Sequence, residues 1–255
     1  MNINYIQNLN TLTFKAMHED MARESIANNN PVRPYLMHTT RFMRYPEDEQ
    51  IMKLCAQKFD GEPINVLSVG CSYGEEVYSY AMGFDVLGVD SIINGVDISK
   101  EVIEEAEEGV FKLDIIEYDL FHQPEPGSFM FNIAQKFRER FELTKPPLEY
   151  TKKPDSYINC NFTQGSALDI NQTYKNNSQD LILCRNMLYH LKKSDQIDFL
   201  SKTYKITKPG GYFCIESDSG TTNFDMYLNA GFIQPFPNDY PTIFQKPYNA
   251  KPSLG

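Results

Sequence analysis

The sequence predicts an α/β fold: a largely parallel sheet with helices on both faces. Three observations carry this. Short apolar runs suited to buried parallel strands recur at 64–69, 92–98, 157–162, 180–184 and 211–216. Stretches with helical spacing separate them, and alternating strands and helices build parallel sheets. Turn residues follow the runs, and right-handed crossovers bring such turns to the carboxyl edge of the sheet.

Taken in order, residues 9–27 read as an amphipathic helix, with Leu12, Ala16, Met17, Met21 and Ile26 near helical spacing. Asn28 and Pro34 bound a stretch that breaks it. A helix over 47–59 opens after Pro46 and closes near Gly61. The strand 64–69 runs through a glycine-rich turn into a helix over 75–82. The strand 92–98 contains Asp97 near its end, and Ser99 is placed to cap a helix reaching Glu108, with Glu101 in its first turn. Residues 112–156 are less regular. They hold a charged helix over 131–141 and several prolines, and read as an insertion without three clear strands. Alternation resumes with strands at 157–162 and 180–184, a helix at 194–206, a strand at 211–216, and a last helix and strand ending at 240–245. The expected organisation is a short helical segment, 1–38, followed by one domain, 39–255.

A chain of 255 residues is long enough to bury its own core. Asp and Glu outnumber Lys and Arg, 34 to 24, for a net charge of −10, which argues against nucleic acid or anionic membranes as partners. No apolar run approaches the length of a membrane span. The first residues lack the pattern of a secretory signal, so a cytoplasmic location is expected. Cys55, Cys71, Cys160, Cys184 and Cys214 form no C-x-x-C pair, so no metal site is expected and free, buried thiols are the simplest reading. Asn161, Asn171 and Asn176 stand in glycosylation sequons, which an asparagine-rich chain produces by chance.

Three motifs carry chemistry. The first is VLSVGCSYGEEVYS, 66–79. Gly70 and Gly74 suit a tight strand–turn–helix passage, and Gly74 would let a ligand approach the helix start. Glu75 and Glu76 suit the helix dipole, and their charge disfavours a phosphate there. A phosphate-free nucleoside carrying positive charge fits better, and S-adenosylmethionine is one. The second is Asp97, about twenty residues on, where α/β nucleotide folds accept ribose hydroxyls; the bland alternative is a helix cap. The third is DLILCRNMLYHL, 180–191, which delivers Arg185 and Asn186 to the same edge, with Lys208-Pro209-Gly210-Gly211 as a tight turn before the next strand. Arg185 could instead be a surface ion pair and Asn186 a turn residue.

These motifs, with others, resemble the CheR-type chemotaxis receptor methyltransferases, a branch of the class I S-adenosylmethionine-dependent enzymes. GEEVYSYAM (74–82) resembles G-E-E-P-Y-S-x-A-M, with Val77 for proline. TRFMRYPEDEQIM (40–52) resembles T-x-F-F-R-x-P-x-x-F. GVDISKEVIEEAEEGVF (95–111) resembles the family's strand–Asp–helix segment. CRNMLYHL (184–191) resembles C-R-N-V-x-I-Y-F, and KPGGYF resembles K-P-x-G-x-L. The matches run in order from about residue 39 to 216.

The resemblance implies a Rossmann-like sheet with an antiparallel edge strand, S-adenosylmethionine as cofactor and S-adenosylhomocysteine as product. It implies that Thr40 and Arg44 lie at the methionine end, with Arg44 near the transferable methyl. Gly70, Ser72, Gly74 and Glu76 would line the cofactor turn, and Asp97 and Ile98 would flank the nucleoside. Ser166 and Ala167 would stand near the adenosine, where the family often has Asn, and Arg185 and Asn186 near the reaction centre. The family's tyrosine falls on His190, with Tyr189 beside it. The expected catalytic residues are Arg44, Tyr189 and His190. The family also has a basic helical domain before the catalytic one, where only about 38 residues stand here, and a small inserted sheet that docks some receptors, at 112–156.

The expected activity is methyl transfer to a protein glutamate carboxylate. Two alternatives stand beside it: another protein or small-molecule acceptor, and a cofactor-binding module without turnover. A dehydrogenase of the same fold would have to seat a pyrophosphate beside Glu75 and Glu76.

Overall fold

The computed structural model describes residues 40–58, 61–146, 148–157, 159–216 and 224–248. The helix expected over 9–27, and the segment 1–38 with it, lie outside them.

Helix α1 (Asp48–Lys58) has Asp48 and Glu49 in its first turn and Lys58 in its last, matching its dipole. Strand β1 (Ile64–Val69) leads to α2 (Glu75–Leu87). The sequence places the end of α2 at 82, before Gly83. The helix runs on through Gly83, whose missing side chain leaves room for the Met52 thioether of α1. Gly88, left-handed with φ 69°, caps it instead. Strand β2 (Ser91–Asp97) and helix α3 (Lys100–Glu108) follow, with the Ser99 hydroxyl accepting from the Val102 N–H as expected.

The insertion departs from expectation. It contains β3 (Val110–Lys112), α4 (Ile115–His122), α5 (Phe129–Arg140), β4 (Phe141–Lys145) and β5 (Glu149–Lys152). The three strands form an antiparallel sheet in the order β3-β5-β4. They are short, rich in Lys, Glu and Thr, and largely exposed, so they lack the apolar alternation that marks a half-buried strand. Helix α4 is fixed by a capping box in which Asp114 and Glu117 each bond the other's backbone.

The main chain resumes with β6 (Cys160–Gln164), a short helix α6 (Ile170–Thr173), β7 (Gln179–Cys184), α7 (Lys193–Ile206), β8 (Thr207–Ile215), α8 (Phe224–Asn229) and β9 (Ile243–Gln245). Strand β6 starts three residues later than expected because Tyr157 is left-handed, with φ 55°. Its buried ring packs instead on Tyr78. The turn expected at 208–211 is part of β8. Gly210, with φ 78°, absorbs the irregularity, and its N–H bonds the Lys246 carbonyl at 2.7 Å.

The main sheet runs β6-β2-β1-β7-β8-β9, parallel except for the antiparallel edge strand β9. Period-two alternation sends its side chains to two cores. Val66, Ile93, Leu181 and Cys214 face α1, α2 and the insertion, while Leu67, Val96, Ile182 and Phe213 face α7 and α8. Strand order reverses between β1 and β7, and the crevice at the carboxyl ends there is where such sheets bind ligands. All five cysteines are free, four of them buried. Among the described residues no helix is long and apolar enough to cross a membrane.

Gly95 lies where β2 meets the turn after β1. A Cβ there would stand 2.8 Å from Cys71 Sγ, 2.9 Å from the Phe162 ring and 3.0 Å from Val77. Gly95→Ala is expected to destabilise the fold by about 1–3 kcal/mol through overpacking. Urea unfolding reads this as a lowered midpoint with unchanged slope; an unaltered midpoint would mean that the turn shifts freely.

Candidate active site

The turn after β1 takes its shape from three left-handed residues: Gly70 (φ 77°), Ser72 (φ 51°) and Gly74 (φ 92°). The N–H groups of Gly70 and Cys71 both bond the Val96 carbonyl, at 2.8 and 3.1 Å, which ties the turn to β2. Asp97, at the end of β2, accepts from the Ser72 N–H through Oδ2 and the Ser99 N–H through Oδ1, each at 3.0 Å. The ribose candidate and the turn therefore form one unit. The space beside the two glycines is filled by protein. A Cβ on Gly70 would meet Met187 at 2.9 Å, and one on Gly74 would meet Phe162 at 3.0 Å and Ala106 at 3.1 Å.

Two acids open α2. Glu76 accepts from the Ser68 hydroxyl at 2.7 Å and lies 3.4 Å from Arg185. Burial pushes its carboxyl up, while Arg185 and Ser68 pull it back. Glu75 is pushed up to about 8, chiefly by burial, against the pull of its own N–H and the Thr40 hydroxyl. One of its oxygens, Oε2, is buried with no hydrogen-bond partner, as is the Ser72 hydroxyl.

Arg185 leaves β7 directly into a buried pocket, its side chain 2% exposed. It pairs with Asp48 and reaches the Tyr80 hydroxyl at 3.3 Å, and its guanidinium lies 4.2 Å from the centre of the Tyr45 ring. Asp48 also accepts from the Tyr80 hydroxyl at 2.8 Å and the Tyr45 N–H at 3.2 Å. Of the two readings open to Arg185 in the sequence, the surface ion pair is excluded.

Asn186 is left-handed, with φ 56°. With its amide oriented to satisfy its neighbours, the oxygen accepts from Arg44 Nη1 at 2.7 Å, Arg44 Nη2 at 2.8 Å and the Tyr45 hydroxyl at 2.9 Å, and the nitrogen donates to Glu216 at 3.2 Å. Arg44 and Asn186, 142 positions apart, thus meet at the β7 end of the crevice.

Ser166 caps its own turn by accepting from the Leu168 N–H at 3.1 Å, and Ala167 follows it. The Gly165 N–H bonds the Asp97 carbonyl at 2.8 Å, which keeps this turn next to Asp97. Ile98 is 58% exposed, an apolar side chain left open beside Asp97. Tyr189 and His190 stand exposed on the turn after Asn186, their rings 4.2 Å apart, and partial burial lowers the His190 imidazole from its ordinary value.

Sequence reasoning missed Tyr45, Asp48, Ser68, Tyr80 and Glu216. Ser68 and Glu216 left a signal: a polar residue inside an apolar strand, and an acid directly after one. Tyr45, Asp48 and Tyr80 left none, since their roles arise from long-range packing around Arg185.

A sequence model of the family described as CheR methyltransferase, SAM binding domain, matches residues 38–223. The chain belongs to that family. It is 26% identical over 149 residues to a chemotaxis protein methyltransferase of Campylobacter jejuni, covering 58% of this chain and 51% of that one. It is 26% identical over 180 residues to a probable biofilm formation methyltransferase, WspC, of Pseudomonas aeruginosa, covering 68% and 39%. It is 25% identical over 185 residues to an uncharacterized methyltransferase of Schizosaccharomyces pombe, covering 72% and 49%. The chain thus spans about half, or less, of the length of these relatives.

S-adenosylmethionine is the cofactor of this CheR-family domain, and the residues present fit it. The unpartnered Glu75 oxygen suits an ammonium, and the orphaned Ser72 hydroxyl lies on the same turn. Asp97 keeps lone pairs beyond its two backbone bonds. A bound cation at the helix start would draw Glu75 and Glu76, both raised by burial, toward their ionised forms.

Glu75 also makes stability depend on pH. An acid whose value is raised on folding binds its proton more tightly when folded, so its contribution is full below its ordinary value of 4.5 and is lost as pH rises through about 8. Glu117 and Glu76 are raised in the same direction. The stability of the ligand-free protein should therefore decline between about pH 5 and 8.5, and Glu75→Gln should flatten that decline. Urea unfolding at three pH values checks this; parallel profiles for the two proteins would refute it.

Proposed function

We propose that this domain catalyses S-adenosylmethionine-dependent methyl transfer to a carboxylate oxygen, that of a glutamate side chain in a protein acceptor. The observation that carries the reading is the Arg44 guanidinium held by Asn186 at the crevice, a cation presented beside an acid-lined turn. The names of the chemotaxis relatives support a protein acceptor. When bound, S-adenosylmethionine supplies a methyl carbon on a positive sulfur, which departs with the bonding pair as a neutral thioether. A carboxylate is ionised at pH 7, so its attack requires no general base.

The residues then divide the work. Thr40, Glu75, Ser72, Asp97, Ile98, Ser166 and Ala167 hold and orient the cofactor. Arg44 receives the acceptor carboxylate in a two-pronged, charge-assisted contact, exchanging the neutral amide oxygen of Asn186 for a charged one. Arg185 acts at a distance, fixing Glu76 and Tyr45. Tyr189 and His190, on the exposed turn, form the acceptor side. Alignment and exclusion of water can supply about 7–11 kcal/mol of barrier reduction. A cytoplasmic location accords with the five free cysteines.

One observation favours a second reading, in which the acceptor is a hydroxyl or an amine. His190 stands exposed beside Tyr189 on the turn after Asn186, where its imidazole would take the proton of such a group. His190→Ala would then remove the rise of rate with pH, whereas a carboxylate acceptor would leave it unchanged.

Incubating candidate acceptors with methyl-labelled cofactor and locating the label by mass spectrometry tests the reaction; cofactor binding with no labelled product for any acceptor would count against it. Arg44→Ala should lower turnover by about 100-fold or more while changing affinity for S-adenosylhomocysteine by less than about threefold. Equal losses in both would overturn the acceptor role. Asp97→Asn should weaken S-adenosylhomocysteine binding by about tenfold or more in calorimetry, the equivalent of one charge-assisted hydrogen bond.

A further inference from the structure

The strap formed by residues 40–44 carries Thr40 and Arg44, and the insertion grips it. The Phe42 N–H donates to Glu117 Oε1 at 3.0 Å. The Phe42 ring, 2% exposed, lies edge-on to Phe111, Phe121, Phe137 and Phe141, with centroid distances of 4.9, 5.4, 5.5 and 6.0 Å. Arg41 adds an ion pair with Asp114 at 2.8 Å, exposed enough to contribute little. From the other side α2 takes hold. The Met43 N–H donates to the Ser79 hydroxyl at 2.9 Å. The strap is thus clamped between the insertion and the helix that begins at the cofactor turn.

Glu117 is the joint of this clamp. Its second oxygen accepts from the Asp114 N–H at 3.0 Å and closes the capping box of α4. Both oxygens are committed, one to its own helix and one to the strap, so the start of α4 and the Phe42 backbone move together.

We propose that Glu117 is a positioning residue, through which the insertion sets the strap so that Met43 meets Ser79 and Arg44 meets Asn186. The consequence for ligand affinity rests on the methyltransferase reading; the statement about the strap does not.

The test uses the full chain and compares Glu117→Ala, Glu117→Gln and Asp114→Ala. Hydrogen exchange at the Phe42 and Met43 amides, read by mass spectrometry, and affinity for S-adenosylhomocysteine, read by calorimetry, are the two measurements. Glu117→Ala should speed exchange about tenfold or more and weaken affinity about tenfold, as expected for one lost charge-assisted hydrogen bond. Glu117→Gln keeps an oxygen for the Phe42 N–H and should hold both within about threefold. Asp114→Ala removes the helix cap and the exposed Arg41 pair but leaves the Glu117–Phe42 bond, so it should lower thermal stability and hold both measurements within about threefold, as should Arg41→Ala, which removes that pair alone. If Glu117→Ala does not fold, Glu117→Met refills the volume without the acceptor and should show the same losses.

The proposal is overturned if Asp114→Ala and Glu117→Ala behave alike, because Glu117 then only stabilises α4. It is also overturned if strap exchange does not change without the carboxylate. Should the unmodified protein fail to bind S-adenosylhomocysteine, the proposed function falls, and the exchange comparison alone still decides the strap.

Discussion

Burying a guanidinium away from water is costly, and the charge of Arg185 is tolerated because several groups converge on it. Asp48 comes from α1, Glu76 and Tyr80 from α2, and Tyr45 from the residue directly after the strap. Removing either member of a buried pair leaves the other without a partner, a cost of about 3–5 kcal/mol, so the arrangement holds as a whole or not at all. The carboxyl edge of the sheet inherits its geometry from this point. Glu76 is fixed at the start of α2, and Tyr45 is fixed beneath the Arg44–Asn186 contact.

From that centre the site divides into two kinds of residue. One kind bears fixed polarity on rigid backbone. Asp97 is locked by two N–H groups, and the turn 70–74 is tied to β2. The other kind sits on segments held from outside the sheet. The strap depends on the aromatic cluster around Phe42, and the exposed turn of Tyr189 and His190 depends on its packing through Met187. The Asp97 side of the crevice therefore rests on the sheet, and the Arg44 side on segments held from outside it.

Much of this was legible in the sequence because the physics was local. Apolar runs of strand length marked β1, β2 and β7. Ser99 announced the start of α3, and glycines marked the cofactor turn. The insertion's sheet was not legible, because its strands are short and polar and their buried rings, Phe111, Phe141 and Tyr150, pack on Phe42 and Phe137 from elsewhere in the chain. The start of β6 was misplaced because nothing local betrays a left-handed Tyr157. Arg185 was found as a motif residue, but its burial was not foreseeable, since its partners lie 105 to 140 positions away. The resemblance brought Arg44 and Asn186 to the same neighbourhood; the bond between them emerged only in three dimensions.

The two glycines of the cofactor turn have a consequence for protein engineering. Their missing side chains leave gaps already taken by Met187, Phe162 and Ala106. Libraries that diversify Gly70 or Gly74 to retune nucleoside preference would jam the joint between helix and sheet. The open positions for such redesign are the ones whose side chains face outward, Ile98 foremost among them.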